Sequence, residues 1–211
     1  MSASYPFSAR DIEAEYRRLG HKLGWRLFTC SVTNIVTADT ALITINPGGD
    51  KLEESLWALE TGSAYTDESW KNKPPGEAQL QRQVKRMFEL MNVCPANVLS
   101  GYFVPFRSPN WGALQEKPAS LAFGTQIWRD ILSEARPKTT VAFGKDLANH
   151  IATLLNATDR RQHQAGWGDQ TIDTYSYGSS GKLIVLPHLS RFALFNRMES
   201  EQHFLKMLAE T

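Results

Sequence analysis

Cysteine is nearly missing from this chain, with only Cys30 and Cys94 present. Two thiols exclude a disulfide framework, a four-cysteine zinc site and a four-cysteine iron–sulfur cluster. The five histidines, at 21, 150, 163, 188 and 203, show no HExxH or other tight ligand spacing. Metal-dependent chemistry is therefore disfavoured, and no cofactor is expected. No apolar run approaches the ~20 residues needed to span a bilayer. The N-terminal stretch MSASYPFSARDIEAEYRR lacks the apolar middle of a secretory leader, so a cytoplasmic protein away from membranes is expected. An excess of one charge is lacking too: 23 Lys plus Arg stand against 22 Asp plus Glu, for a net +1. That sum supplies no global field for nucleic acid, although a local cationic rim is invisible in it. Internal repeats, low-complexity tracts and linkers are absent, and 211 residues with 42% hydrophobic content suit a single domain over 1–211.

What is present is an alternation of helical and strand patterns. Ser8 and Asp11 form a capping-box-like start, followed by Ile12, Tyr16, Leu19 and Leu23 at helical spacing before Gly24. Residues 41–45, Ala-Leu-Ile-Thr-Ile, read as a buried strand halted by Asn46-Pro47-Gly48-Gly49. A helical stripe over 77–91 carries Leu80, Val84, Met87, Phe88 and Met91, and residues 97–104 form the next strand. Further helices are expected over 120–135, 145–155 and 199–208, with strands over 139–143 and 183–186. This order predicts a three-layer α/β/α fold around a central, mainly parallel four-stranded sheet. The polar, proline-containing stretch 61–76 reads as a lid or binding loop, and 156–181 as a surface excursion or small hairpin.

In open parallel sheets ligands bind beyond the carboxyl ends of the strands. Two predicted strands end in the chain's most unusual loops, Asn46-Pro47-Gly48-Gly49 and Pro187-His188-Leu189-Ser190-Arg191-Phe192. Gly144-Lys145 lacks the upstream glycine of a phosphate loop, and Gly178-Ser179-Ser180-Gly181 lacks the spacing of a nucleophile elbow. His21, His150, His163 and His203 fall in or beside helices or in the polar excursion, where packing or solvation accounts for them. His188 instead follows a hydrophobic strand and a proline. On position alone it is as fit for a structural as for a reactive role. Asn46 ends a strand on the same rim, so an amide and an imidazole together can orient a water and stabilise a departing anion.

Taken in order, Ile45-Asn46-Pro47-Gly48, Val104-Pro105-Phe106-Arg107, Val141-Ala142-Phe143-Gly144 and Leu186-Pro187-His188-Leu189-Ser190-Arg191 resemble the uracil-DNA glycosylase superfamily, from about residue 41 onward. The first motif is similar to the Asn-Pro-Gly of the single-strand-selective and mismatch-specific branches. The resemblance implies rotation of a base out of DNA and hydrolysis of its glycosidic bond, without a cofactor. It makes Asn46 the residue that positions the attacking water and His188 the donor to the base O2 as charge develops there. Ile45 and Gly48 fall at the base site. Thr61-Gly62-Ser63-Ala64-Tyr65 looks like the family's Thr-Gly-x-x-Phe, which makes Tyr65 the plate under the base; a surface tyrosine is the competing reading. Ser190 matches a phosphate-contacting serine, Arg191 can neutralise phosphate, and Phe192 takes the wedge position or else packs under the last helix with Leu194 and Phe195.

The chain departs from the pattern in three places. Leu189 stands where relatives usually have proline. Tyr102 falls near the place of the asparagine that reads the base edge, with Asn97 too early to serve. Gly48 replaces the bulky residue that excludes the thymine methyl in the strictest uracil enzymes. The implied substrate is thus uracil or another deaminated or damaged base in DNA, handled by a monomer. A nucleic-acid-binding protein that kept the fold without catalysis is the alternative, and a hydrolase of free nucleosides a weaker one.

Overall fold

The computed structural model describes residues 7–210; the first six residues of the stretch read above for a leader lie outside that range. In chain order the helices are α1 (Ala9–Arg18), α2 (Asn34–Thr37), α3 (Ala64–Asp67), α4 (Gln79–Leu90), α5 (Lys117–Ala135), α6 (Lys145–Leu155) and α7 (Met198–Ala209). The strands are β1 (Thr40–Thr44), β2 (Val98–Tyr102), β3 (Thr139–Phe143), β4 (Thr158–Gln164), β5 (Thr171–Tyr177) and β6 (Gly181–Leu186).

The strands form one six-stranded sheet in the order β2-β1-β3-β6-β5-β4. The first four in that order are mutually parallel. β5 runs antiparallel to β6, and β4 antiparallel to β5. The expected parallel quartet is therefore present, but a four-stranded sheet is corrected to a mixed six-stranded one. The stretch 156–181 supplies the difference, because its hairpin adds to the edge of the sheet. Its outer strand, Thr158–Gln164, is polar on both faces and exposed at all but one position. Such a strand carries no hydrophobic alternation, and its charges discourage edge-to-edge association.

Alternation along the inner strands sends side chains into two cores. Ala41 and Ile43 of β1, Leu99 of β2, and Leu183 and Val185 of β6 join Ile127, Trp128 and Ile131 of α5 and Leu147 and Ile151 of α6. Leu42, Val98, Val141, Phe143, Ile184 and Leu186 point the other way, onto Val84, Met87 and Phe88 of α4 and Phe204 and Met207 of α7. Burial on both faces explains why these strands read as continuous apolar runs.

The N-terminal helix is shorter than its spacing predicts. α1 starts with Ser8 N–H donating to Asp11 Oδ2 at 2.6 Å, yet stops at Arg18, after which Gly20 takes φ +73°. The stretch 61–76 is not a free lid in its first half. Ser63, Ala64 and Tyr65 are buried, and Ala64 N–H donates to Thr29 O at 2.8 Å.

Candidate active site

Register fixes where the two unusual loops lie. Ile43 pairs with Ala142, Ala142 with Val185, and Phe143 with Leu186. Counting onward, Asn46 and His188 emerge at the same height of the carboxyl edge. They follow β1 and β6, strands separated only by β3 and so roughly 10 Å apart at two strand spacings. Both also continue the parity of one sheet face, after Leu42 on β1 and after Ile184 and Leu186 on β6. The fold thus brings together two segments that are 142 residues apart in sequence.

Asn46 is half-buried and its amide nitrogen is fully engaged. Nδ2 donates to Ser108 Oγ at 2.8 Å, Pro47 O at 3.1 Å and Phe106 O at 3.2 Å. Carbonyl oxygens only accept, so this surround dictates which end of the amide is nitrogen. Ser108 uses its own hydroxyl proton on Asn110 O at 2.8 Å, which leaves its oxygen to accept from Asn46. Among the described residues nothing donates to Asn46 Oδ1. What the fold leaves available is an acceptor.

Two further backbone bonds latch the loop, Gly49 N–H to Ser108 O at 3.0 Å and Ser108 N–H to Pro47 O at 3.2 Å. Arg107 closes it, donating from Nη1 to Gly48 O at 2.5 Å and pairing through Nη2 with Glu53 Oε2 at 2.6 Å.

His188 shows the complementary arrangement. Its Nδ1 faces the Ser190 N–H at 3.3 Å and the Ser190 hydroxyl at 2.8 Å. A backbone N–H can only donate, so Nδ1 is the bare nitrogen and the proton resides on Nε2. Burial first, and the neighbouring Arg191 guanidinium second, push the imidazole pKa below its ordinary value. The ring is therefore neutral near pH 7 and offers a donor from Nε2. The loop is secured by Leu189, which is fully buried in the second core, so the residue replacing the usual proline acts as an anchor. Farther along, Gln83 of α4 binds Phe195 through both backbone groups, donating to O at 2.5 Å and accepting from N–H at 2.8 Å.

The remaining candidates are distributed unevenly. Tyr65 is 1% exposed and packs against Trp70 at 5.4 Å and 69° between ring planes. Its hydroxyl bonds to Thr44 and Thr29, and burial raises its pKa; the surface-tyrosine reading is overturned. Tyr102 is half-buried on the same sheet face, after Val98 and Ser100. Its hydroxyl has no hydrogen-bond partner among the described residues, and burial raises its pKa. Ile45 packs into the first core, which leaves its backbone rather than its side chain for any ligand. A Cβ added to Gly48 meets nothing within 4 Å, so the glycine leaves room unfilled.

Ser190 and Arg191 are exposed, and the Ser190 hydroxyl proton that goes to Nδ1 is not free for phosphate. Phe192 is half-buried against the second core under the Arg191 guanidinium, 5.7 Å from the ring centroid, whereas Leu194 and Phe195 are fully buried.

Sequence reasoning missed several supporting residues. Ser108, Gln83 and the Arg26–Glu68 pair carry no motif of their own, and only Ser108, just beyond the Val104-to-Arg107 motif, gave a positional signal. Arg26 donates to both Glu68 oxygens at 2.8 and 2.6 Å beneath Tyr65 and Trp70. Burial alone would raise the Glu68 pKa, but the Arg26 hydrogen bonds outweigh it and hold the carboxyl below its usual range. Among the described residues no cluster of three or more His, Cys, Asp or Glu is placed to hold a metal, and no helix is long and apolar enough to cross a membrane.

An open α/β sheet with an amide acceptor and an imidazole donor at the carboxyl ends of its parallel strands has both groups at the edge where ligands of such sheets generally bind. The chain matches the family model described as Uracil DNA glycosylase superfamily over residues 30–211, and it belongs to that superfamily. Members of this superfamily are generally DNA glycosylases, hydrolases that act on DNA carrying damaged bases. No curated protein matches the chain.

Proposed function

We propose that this protein is a monofunctional DNA glycosylase of the Asn-Pro-Gly type that hydrolyses the glycosidic bond of uracil or another deaminated or damaged base. The observation that carries the reading is the complementarity at one edge. An amide with its N–H groups consumed presents an oxygen, and an imidazole with its Nδ1 occupied presents an N–H.

Asn46 Oδ1 accepts from a water and aims its oxygen at C1′ of the sugar. An amide is too weak a base to deprotonate that water, but a sugar transition state with cationic character needs little nucleophile activation. As the C1′–N bond breaks, the electron pair goes to the base and negative charge gathers on O2. The Nε2–H of His188 donates to that oxygen, a bond stronger in the transition state than in the ground state. The water oxygen ends on C1′, and its surplus proton passes to solvent. No lysine lies in either motif to form a Schiff base.

Tyr65 supports the base face, a role that requires the side chains now covering it to give way. The free Tyr102 hydroxyl reads the base edge where relatives use an amide, and the room at Gly48 admits a base larger than uracil. Ser190, Arg191 and Phe192 meet the DNA. We place the enzyme in the cytoplasm, acting as a monomer.

The test is release of free base from single- and double-stranded oligonucleotides carrying uracil or hypoxanthine. Release above a no-protein control that disappears in Asn46→Ala supports the reading. Absence of release on all of them, with DNA binding intact, supports the second reading: a DNA-binding protein that lost catalysis, which Tyr102 in the place of the base-reading amide favours.

A further inference from the structure

The hairpin that widens the sheet also extends the candidate site. Asp173 of β5 pairs with Val185 of β6 in antiparallel register, so stepping back two residues puts Thr171 level with Pro187. The β4–β5 tip, residues 165–170, therefore stands on the same edge as His188, on the side away from Asn46. It is docked there firmly. Ala165 is fully buried, Ser200 Oγ donates to Gly166 O at 2.9 Å, and Gly166, at φ +65°, lies so close to Ser200 that a Cβ would come within 2.9 Å of its backbone.

Three exposed cations line this stretch of the rim. Arg197 stacks on the Trp167 indole, its guanidinium carbon 3.9 Å from the ring centroid. Lys145, at the start of α6, reaches across to Thr171 Oγ1 at 3.1 Å. Arg191 follows His188 in the same loop. Among the described residues none of the three pairs with a carboxylate, although Arg86, Arg107 and Arg160 all do. Arg197 is also badly placed for helix stability, since it caps the N-terminus of α7, where the helix dipole favours an anion. Glu201 of the same first turn is taken by Arg86 at 2.7 Å.

We propose that the β4–β5 tip, with Trp167, Arg197 and Lys145, is a phosphate-binding track for the DNA strand flanking the extruded nucleotide on the β5 side. A guanidinium stacked by its face keeps its N–H donors in its own plane, free for bidentate contact with phosphate. The indole holds that plane in place, so little side-chain freedom is lost on binding. The inference rests on the DNA-directed reading above, but not on catalysis.

The experiment measures binding and chemistry separately. Affinity for a fluorescein-labelled oligonucleotide with a tetrahydrofuran abasic analogue is titrated against salt for the wild type, Arg197→Ala, Arg197→Lys and Trp167→Ala. Lys138→Ala at the opposite end of the sheet serves as control. Removal of one phosphate contact should weaken binding roughly fivefold at ~0.15 M salt and reduce the slope of log K against log[salt] by about 0.7 to 0.9. Arg197→Lys should retain the slope while losing part of the affinity, and Lys138→Ala should behave as wild type. The single-turnover rate of base release at saturating protein, measured for each variant, reports the chemistry apart from affinity, and Lys138→Ala should leave it unchanged. Wild-type affinity and slope in both Arg197→Ala and Trp167→Ala would overturn the proposal even if base release is robust. Conversely, reduced slopes in a protein that releases no base would uphold the track while removing the glycosylase reading. A wild type that does not bind this DNA overturns both.

Discussion

Ser190 holds His188 in one tautomer: its N–H and hydroxyl lie 3.3 and 2.8 Å from Nδ1, so the ring proton is committed to Nε2. The residue two places along thereby decides what the imidazole can offer a ligand. Ser190→Ala removes the shorter of the two bonds and keeps the backbone one. A single neutral hydrogen bond is worth about 1 kcal/mol, so base release should slow roughly fivefold. The salt slope of DNA binding should stay unchanged. A reduced slope with an unchanged rate would instead make Ser190 a phosphate ligand.

The same geometry sets a pH dependence. Burial depresses the pKa of His188, and of His21, below the ordinary 6.5. Between that value and the lower folded-state value, the unfolded chain binds more protons than the native one. Stability from these groups is therefore complete above about pH 6.5 and falls as pH drops through the folded-state values. Glu68, held below its usual 4.5 by Arg26, adds a second loss at lower pH. Thermal melts across pH 4 to 8 should show Tm decreasing on the acid side, and His188→Gln should reduce the first part of that decrease.

Arg26 and Glu68 form a bidentate pair with side chains 11% and 27% exposed. Removal of one partner leaves a poorly solvated charge, a change that costs about 3–5 kcal/mol in fully buried pairs. The cost here belongs at the lower end, because Glu68 retains some water. Arg26→Met should lower the denaturant midpoint clearly, whereas the double substitution with Glu68→Leu should recover part of it. Equal destabilisation by the single and double variants would show that the charge is not the issue.

How much of this was legible in the sequence follows from what each segment buries. β1, β3 and β6 lie inside the parallel sheet, and their apolar runs betrayed them, along with the two loops that end them. β4 has nothing buried on either face, so residues 158–164 gave no strand signal and the sheet was undercounted. Asn46 and His188 were visible because proline marks both loops. Their supports were not: Ser108 and Gln83 act through hydrogen bonds to groups far away in sequence, and such bonds leave no periodicity. Tyr65 was ambiguous for a related reason. A tyrosine in a polar segment reads as exposed until α3 is seen to fold it against Thr44 and Trp70.

Tyr102 and Gly48 should govern which base is accepted. The Tyr102 hydroxyl has no hydrogen-bond partner among the described residues, so Tyr102→Phe should leave stability within about 0.5 kcal/mol of wild type while shifting relative rates on uracil and hypoxanthine. At Gly48 the backbone is outside the left-handed region and a Cβ is unopposed. Gly48→Tyr should therefore fold and narrow activity toward the smaller base. A base profile untouched by both changes would place the base edge elsewhere in the site.

The most direct measurement is the single-turnover rate of free-base release at saturating protein for wild type, Asn46→Ala and His188→Ala, each alongside its affinity for abasic DNA. Loss of one well-placed hydrogen-bonding group that acts in the transition state commonly costs about 10²–10³ in rate. Each variant should fall by that order while affinity for the abasic analogue stays within a few-fold of wild type. Rates that survive both substitutions, or fall only as far as affinity does, would contradict a mechanism in which this amide and this imidazole act on one glycosidic bond.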